Sequence, residues 1–388
     1  MHPAFTSSIE FQMSLLLFVA LAGYMLAMRT NQAVSLGAIL TGLVIGPSVL
    51  GLITYTDFVR SVAHLGAIIL LFVIGLEFKL KDIFNARYAV IALVGVIVPW
   101  IGGYWTAKAF GYSFVNALFI GTALTATSIA ITANVLKEMG KLQTEAAKAI
   151  IGAAVMDDIF GLLALSLSRQ IVSGTLSLNG IVVPLVNAVL FLVIGIYIGQ
   201  KFLKPLIQRV DQTLLSQKYP EFVFIFVMML AFFYSMIAEM LNLSAIVGAF
   251  LAGLAFEGVV LRHSKDFKEG AEYLHIIFAS IFFVSLGILV DMHVVTPAVW
   301  WFLVVLTAVA IITKVVGCAL PARFLGFSPK DAAIIGFGMA PRGEVAMIVG
   351  LIGLDQNIIT HEIYVAIIFM SLLTTILTPV VLRQWVDR

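Results

Sequence analysis

The sequence predicts an all-α membrane protein, and three observations carry this prediction. Of the 388 residues, 61% are hydrophobic and only 11% are charged, whereas soluble globular proteins carry about 25% charged residues. The mean hydropathy is +1.09, and the apolar residues form stretches long enough to cross about 30 Å of hydrocarbon as helices. The basic residues between these stretches are distributed unevenly between the two sides.

The apolar stretches predict thirteen transmembrane helices. Two of them, 245–260 and 276–290, are shorter than average. One missed or merged span would reverse the predicted orientation of every later span. The predicted spans are 11–28, 33–50, 59–78, 88–110, 115–136, 145–167, 181–202, 222–241, 245–260, 276–290, 299–320, 332–354 and 363–382.

Loop charge supports this count and sets the orientation. With the N-terminus outside and the C-terminus cytoplasmic, 18 of the 23 basic residues lie inside, three lie outside and two lie within spans. Such an asymmetry is the positive-inside pattern of cytoplasmic-membrane proteins. The first span, without a signal-type cleavage site, is interpreted as a retained helix.

A short internal repeat relates the two halves of the chain. Residues 37–43 (GAILTGL) recur as residues 248–254 (GAFLAGL), and the same offset of 211 residues places Phe72-Val73 on Phe283-Val284. The two copies run in opposite directions across the membrane, which indicates inverted-topology repeats. Chance recurrence of small apolar strings is the alternative explanation.

Inverted repeats place substrate sites near the midplane at interrupted helices. The fifth span contains the polar run Thr122–Ser128, and the twelfth contains Gly336, Gly338, Pro341 and Gly343. Proline and glycine weaken a helix, and hydroxyl groups can satisfy the freed backbone. We therefore expect two crossed discontinuous helices. In the fifth span, back-bonding of the hydroxyls to the preceding turn is the alternative.

Asp157 and Asp158 lie in the middle of the sixth predicted span, and Lys314 lies inside the eleventh. Asp157 and Asp158 each cost roughly 2.5–3.5 kcal/mol at the bilayer centre unless compensated, and Lys314 costs a similar amount. Neighbouring helical positions point about 100° apart, so the two acids have different surroundings. We expect Asp157 to pair with Lys314 and Asp158 to face a cavity, although the spacing also permits the reverse.

These groups predict a site where protons and a cation compete. Desolvation disfavours the charged form of each, and oxygen ligands suit hard cations. We expect Na+ to bind Asp158 and Thr127, with Thr125 and Ser128 in support. Arg342 and Glu344 form either part of the ion path or a structural salt bridge. No catalytic motif, cofactor site or nucleic-acid surface is predicted, and the single cysteine, Cys318, excludes an internal disulfide.

Together these motifs resemble the monovalent cation:proton antiporter superfamily, in the branch of NapA-type Na+/H+ antiporters and Kef-type membrane domains. The matching segments are 125–128 (TATS), Asp157-Asp158, 283–287 (FVSLG), Lys314 and 342–344 (RGE). An Asp-Asp pair with a lysine resembles the electrogenic exchangers. The chain ends at Arg388 without the soluble domain of Kef proteins, so we expect no ligand gating.

The resemblance also implies an architecture and partners. It implies a core ion-transport domain of residues 88–167 and 299–388, a dimerisation domain of 1–78 and 222–290, and a linker helix at 181–202. It further implies a homodimer in the lipid bilayer whose core domains move as elevators. The substrates would be H+ with Na+ or Li+, and no cofactor is implied.

Other functions remain open at this point. A K+/H+ antiporter or a Kef-like K+ efflux protein would use the same fold. A cation channel or a structural membrane protein is the alternative from another class. The sequence contains no repeated filter motif, and a structural protein has little use for three intramembrane charges.

Overall fold

The computed structural model describes residues 8–262, 264, 266–294 and 297–386. All secondary structure elements of these residues are helices, joined by turns and loops, and none of these residues lies in a strand. The main helices are α1 (Ile9–Thr30), α2 (Val34–Ile45), α3 (Asp57–Leu76), α4 (Ala86–Ala109), α5 (Phe114–Ala123), α6 (Ile129–Glu138), α7 (Glu145–Ser173), α8 (Asn179–Asp211, with a π-helical turn at Gly199–Leu203), α9 (Phe222–Met240), α10 (Ala245–Phe256), α11 (Phe267–Ile288), α12 (Pro297–Phe324), α13 (Pro329–Gly338), α14 (Glu344–Asp355) and α15 (His361–Val386).

Nine helices of the described chain are long and apolar enough to cross a membrane. They are α1, α3, α4, α7, α8, α9, α11, α12 and α15. The remaining predicted spans coincide with shorter helices: α2, α10, and the pairs α5–α6 and α13–α14. The prediction of an all-helical membrane protein is confirmed, while the count of thirteen transmembrane spans stays a prediction.

Several predicted boundaries are wrong, for identifiable reasons. The predicted span 33–50 ends at Ile45, because Gly46 and Pro47 follow, and proline cannot continue a helix. The span 245–260 ends at Phe256, before Gly258 with its positive φ of 68°. The span 276–290 begins nine residues too late, since α11 starts at Phe267 with a charged first turn.

The helices pack into two groups. In the first group, α3 packs against α10 and α11, α2 packs against α1 and α11, and α9 packs against α10. In the second, α4 packs against α5, α7 and α12, while α15 packs against α12, α13 and α14. Helix α8 contacts both groups through α7 and α10. Whether these groups act as dimerisation and transport domains stays a prediction.

The residues of the internal repeat pack reciprocally in the first group. A Cβ atom on Gly42 of α2 would collide with the carbonyl oxygen of Val284 in α11. A Cβ atom on Gly253 of α10 would collide with the carbonyl oxygen of Phe72 in α3. The glycine motif of each copy therefore contacts the backbone of the Phe-Val motif of the other copy. Small residues permit such close approach of membrane helices.

Candidate ion-binding site

The interruptions in the helix pairs α5–α6 and α13–α14 lie against each other. Residues 124–128 and 339–343 are non-helical. The amide of Ser128 donates to the carbonyl of Pro341 at 2.8 Å, and the hydroxyl of Thr127 donates to the carbonyl of Met339 at 3.4 Å. The backbone groups released by one break therefore satisfy those of the other, as burial in a membrane requires.

Gly343 permits this close approach. A Cβ atom at this position would lie 2.6 Å from the hydroxyl oxygen of Ser128 and 2.7 Å from its Cβ. Any side chain on residue 343 would separate the two interruptions. The sequence predicted a weakened helix here, and the structure adds a steric reason for the glycine.

Asp157 and Lys314 form a buried ion pair at this crossing. The ammonium of Lys314 lies 2.7 Å from Asp157 Oδ1, and the two side chains are 0% and 1% exposed. Lys314 also donates to the carbonyl oxygen of Thr125 at 2.8 Å. The other carboxylate oxygen, Asp157 Oδ2, is buried, and the side chain of Thr127 also interacts with this carboxylate. Asp157 Oδ2 remains an acceptor for a proton or a cation.

Asp158 lines a pocket and a cavity beside the crossing. Its half-buried side chain lines a small pocket together with Thr127 and Ser128. It also lines a larger cavity of about 640 Å³, whose wall includes Arg169 of α7 and Ser244 at the start of α10. This cavity joins the crossing to the face of the protein where α7 ends. The two neighbouring acids thus occupy the different surroundings that helical geometry requires.

Arg342 holds the crossing together through backbone carbonyls. Its fully buried guanidinium donates to the carbonyl oxygen of Ala126 and to that of Ala310, the latter at 3.1 Å. Carbonyl groups at a helix interruption lack their intrahelical hydrogen bonds, and the guanidinium supplies donors and a positive charge to them. The side chain of Glu344, the predicted partner of Arg342, lies outside the described residues.

Thr125 contributes to the crossing through its backbone. Its hydroxyl donates to the carbonyl of Thr122 at 2.8 Å, which is the local back-bonding considered as the alternative for this span. The backbone carbonyl of Thr125, rather than its hydroxyl, faces the charged cluster. In the fifth span, the hydroxyls of Thr122 and Thr125 back-bond to the preceding turn, whereas the hydroxyl of Thr127 donates across the interruption to Met339.

Sequence reasoning missed a polar face on α15. Thr374 accepts the amide of Arg342 at 3.0 Å, Thr375 donates to the carbonyl of Arg342 at 2.6 Å, and Ser371 donates to the carbonyl of Gly343 at 3.2 Å. The signal for these residues was available. Positions 371, 374 and 375 have the spacing that places side chains on one helix face, within an otherwise apolar span.

Interrupted helices that meet near buried charged residues are typical of secondary transporters. Comparison with known proteins specifies the family. The family model described as "Sodium/hydrogen exchanger, transmembrane" matches residues 15–388. The chain belongs to this family, which confirms the predicted membership in the cation:proton antiporter superfamily. The family consists of secondary transporters rather than enzymes, and Na+/H+ antiporters need no cofactor.

Individual relatives agree with this assignment. The chain is 33% identical to the Na(+)/H(+)-K(+) antiporter GerN of Bacillus cereus, over 96% of this chain and 95% of GerN. It is 35% identical to the high-affinity Na(+)/H(+) antiporter NhaS3 of Synechocystis, over 84% of this chain and 71% of NhaS3. Its fold is similar to that of the sodium proton antiporter MjNhaP1 of Methanocaldococcus jannaschii, with a TM-score of 0.73 and 16% identity over 98% of this chain and 97% of that one.

Proposed function

We propose that this protein is an electrogenic Na+(Li+)/H+ antiporter of the cytoplasmic membrane. Na+ or Li+ binds Asp158 with oxygen ligands from Thr127 and the interrupted backbone, and protons compete for the same cluster. One observation carries the proposal: the buried Asp157–Lys314 pair lies at a crossing of interrupted helices, and the adjacent Asp158 lines a cavity that reaches one face.

The charges of the cluster account for electrogenic exchange. Two carboxylates carry a charge of −2, and a bound Na+ with a neutral Lys314 leaves −1. Protons on Asp158 and on Lys314 instead bring the cluster to zero. Exchange of one cation for these two protons therefore moves one net charge per cycle. The second proton requires that the Asp157–Lys314 contact break when the cation binds.

Alternating access would come from movement of one helix group against the other. The second group, α4–α7 with α12–α15, carries both interruptions together with Asp157, Asp158 and Lys314, so it is the proposed core domain. The first group, α1–α3 with α9–α11, is the proposed dimerisation domain, and α8 is the linker. Two copies associated through their first groups would provide a fixed frame for elevator movement.

The proposed orientation assigns the cavity to the outside. The mouth of the cavity includes Arg169 and Gln170 near the C-terminal end of α7 and Asn242 just after α9, on the side placed outside by the positive-inside rule. With the N-terminus outside and the C-terminus cytoplasmic, the structure then corresponds to an outward-open conformation. Helix α7 begins at the cytoplasmic face and carries Asp158 near its middle.

K+ is the second candidate cation. The relative GerN is described by its name as exchanging Na+ and K+, and selectivity between these ions depends on small differences in ligand spacing. A Kef-like K+ efflux protein would use the same fold. A channel is less compatible with the site, because on the side of α6 the crossing is covered by contacts of α6 with α2 and α3.

Transport by the purified protein in proteoliposomes tests the proposal. The vesicles contain a fluorescent pH probe and have an acidic interior, and Na+, Li+ or K+ is added to the outside. We expect internal alkalinisation with Na+ and Li+, and faster exchange when the membrane potential favours the net charge movement. A rate independent of potential would contradict electrogenic exchange. Alkalinisation with K+ alone would reassign the protein to K+/H+ exchange, and cation current without proton movement would indicate a channel.

A further inference from the structure

Helix α6 presents one polar face to the other helix group, at the end away from the cavity. Asn134, Lys137 and Glu138 have the spacing i, i+3 and i+4, so their side chains lie on the same face of the helix. All three contact residues of α2 or α11. We call these three residues the polar face of α6.

Glu138 caps the N-terminus of α2. Its two carboxylate oxygens accept the backbone amides of Val34 and Ser35, at 2.7 and 3.2 Å. These are the first amides of α2, and the N-cap residue Ala33 provides no side-chain hydrogen bond. A carboxylate at a helix N-terminus is favoured both by hydrogen bonding and by the helix dipole. The last residue of α6 therefore supplies the cap that α2 lacks in its own sequence.

Asn134 and Lys137 extend this contact to α11. The side-chain amide of Asn134 donates to Glu138 Oε1 at 2.6 Å, and its carbonyl oxygen lies 3.3 Å from His275 Nε2. The ammonium of Lys137 lies 3.7 Å from the carboxylate of Glu272. Beside these polar contacts, Ala33 and Leu36 of α2 pack against Val135 of α6, and all three are buried.

The position of this contact gives it a role in the transport cycle. Helix α6 begins directly after Ser128, so its N-terminal end carries the ion site and its C-terminal end carries Glu138. Helix α7 starts at Glu145, shortly after the polar face, and ends near Arg169 at the mouth of the cavity. The polar face of α6 thus closes the side of the ion site opposite to the open cavity.

We propose that the polar face of α6, docked on the N-terminus of α2 and on α11, is the gate that closes the cytoplasmic side of the transporter. The inference rests on the proposed alternating access and assigns the residues that hold the closed side. The contact between α6 and the first helix group breaks when the ion site opens to the cytoplasm, and Glu138 then leaves the first amides of α2. Weakening the contact shifts the population of the two states.

Cysteine labelling of the full-length protein in nanodiscs tests the gate without any ion gradient. Ala33→Cys introduces a reporter that is 4% exposed and covered by the docked α6, while the native Cys318 is fully buried and gives the background. Adding Glu138→Gln removes a charged hydrogen-bond acceptor, and we expect reaction with maleimide to become about tenfold faster. Glu145→Gln is the matched control, since this carboxylate pairs with Lys148 of its own helix.

A second set of variants keeps the proposal falsifiable if Glu138→Gln does not fold. Asn134→Ala is expected to accelerate labelling. Lys137→Glu and Glu272→Lys are each expected to do so, whereas the two together restore slow labelling. Labelling of the Asn134 and charge-reversal variants at the control rate would overturn the gate, even with exchange intact. Faster labelling in a protein that exchanges no cations would instead support the gate and contradict the proposed function.

Discussion

Lys314 donates to Asp157 at 2.7 Å inside the protein, and neither side chain exposes more than 1% of its surface. Two opposite charges removed from water must be kept together, since desolvation costs several kcal/mol for each ion. The pair also lies next to the interrupted backbone, where Lys314 satisfies the carbonyl of Thr125. Lys314 therefore both neutralises the charge of Asp157 and satisfies the interrupted backbone.

Removing one partner of this pair should destabilise the protein more than removing both. Lys314→Met leaves the carboxylate of Asp157 buried without its cation, and we expect a loss of about 3–5 kcal/mol in the free energy of unfolding. The double variant Lys314→Met/Asp157→Asn should recover most of that loss. Chemical unfolding in detergent measures the difference, with the exposed Lys108→Met as control. A double variant as unstable as Lys314→Met would contradict the pairing.

Gly343→Ala should force the two interruptions apart. The new Cβ atom would lie 2.6 Å from Ser128 Oγ, and overpacking of this kind costs about 1–3 kcal/mol. We expect a lower melting temperature and slower Na+/H+ exchange, with partial rescue by Ser128→Gly. Gly161→Ala is the control, because its Cβ atom would meet only Thr125 Oγ1 at an ordinary 3.7 Å. Equal melting temperatures for the two alanine variants would count against the steric explanation.

Thr375→Val should weaken the support of the second interruption. The variant leaves the buried carbonyl of Arg342 without the hydroxyl that donates to it at 2.6 Å, at a cost of about 1–3 kcal/mol. Thr378→Val is the matched control on the same helix, because its hydroxyl only back-bonds to Thr374. Thermal unfolding compares the two variants, and the account requires the Thr375 variant to be the less stable.

Sequence patterns predicted the large features of this fold because those features follow from solvation. The helices, the interruptions near Ser128 and Pro341, and the separate surroundings of Asp157 and Asp158 all reflect the cost of polar groups in lipid. Helix ends were predicted less well. The start of α11 carries Lys268, Glu269 and Glu272, which hydropathy assigns to a loop although the segment is helical.

Contacts between distant segments could not be predicted from hydropathy or helical spacing. Helical spacing shows that Ser371, Thr374 and Thr375 share one face of α15, but it does not show that the interruption at Arg342 lies against that face. The sequence likewise indicates only that Glu138 is a charged residue at the end of a helix. The tertiary structure shows that its carboxylate lies at the N-terminus of α2. These residues are defined by their partners rather than by their local pattern.

Competition between Na+ and protons predicts a specific pH dependence of transport. Protonation of the site removes the anionic ligand, so the apparent KM for Na+ should rise as the pH falls. For the two displaced protons of the proposed exchange, the limiting slope is about a hundredfold per pH unit where both groups are protonated before Na+ binds, and about tenfold where only one is. The maximal rate at saturating Na+ stays constant. Initial exchange rates over a series of Na+ concentrations and pH values measure both quantities. A maximal rate that falls with an unchanged KM would point to separate proton and cation sites.

Proton release by purified protein on addition of Na+ tests most directly whether the two ions share Asp158. In weakly buffered detergent solution, the wild-type protein should acidify the medium when Na+ is added. Asp158→Asn should release no protons at the same Na+ concentration. Glu239→Gln, which alters a carboxylate in the wall of the same cavity, should behave like the wild type. Release from Asp158→Asn equal to that of the wild type would contradict a shared site.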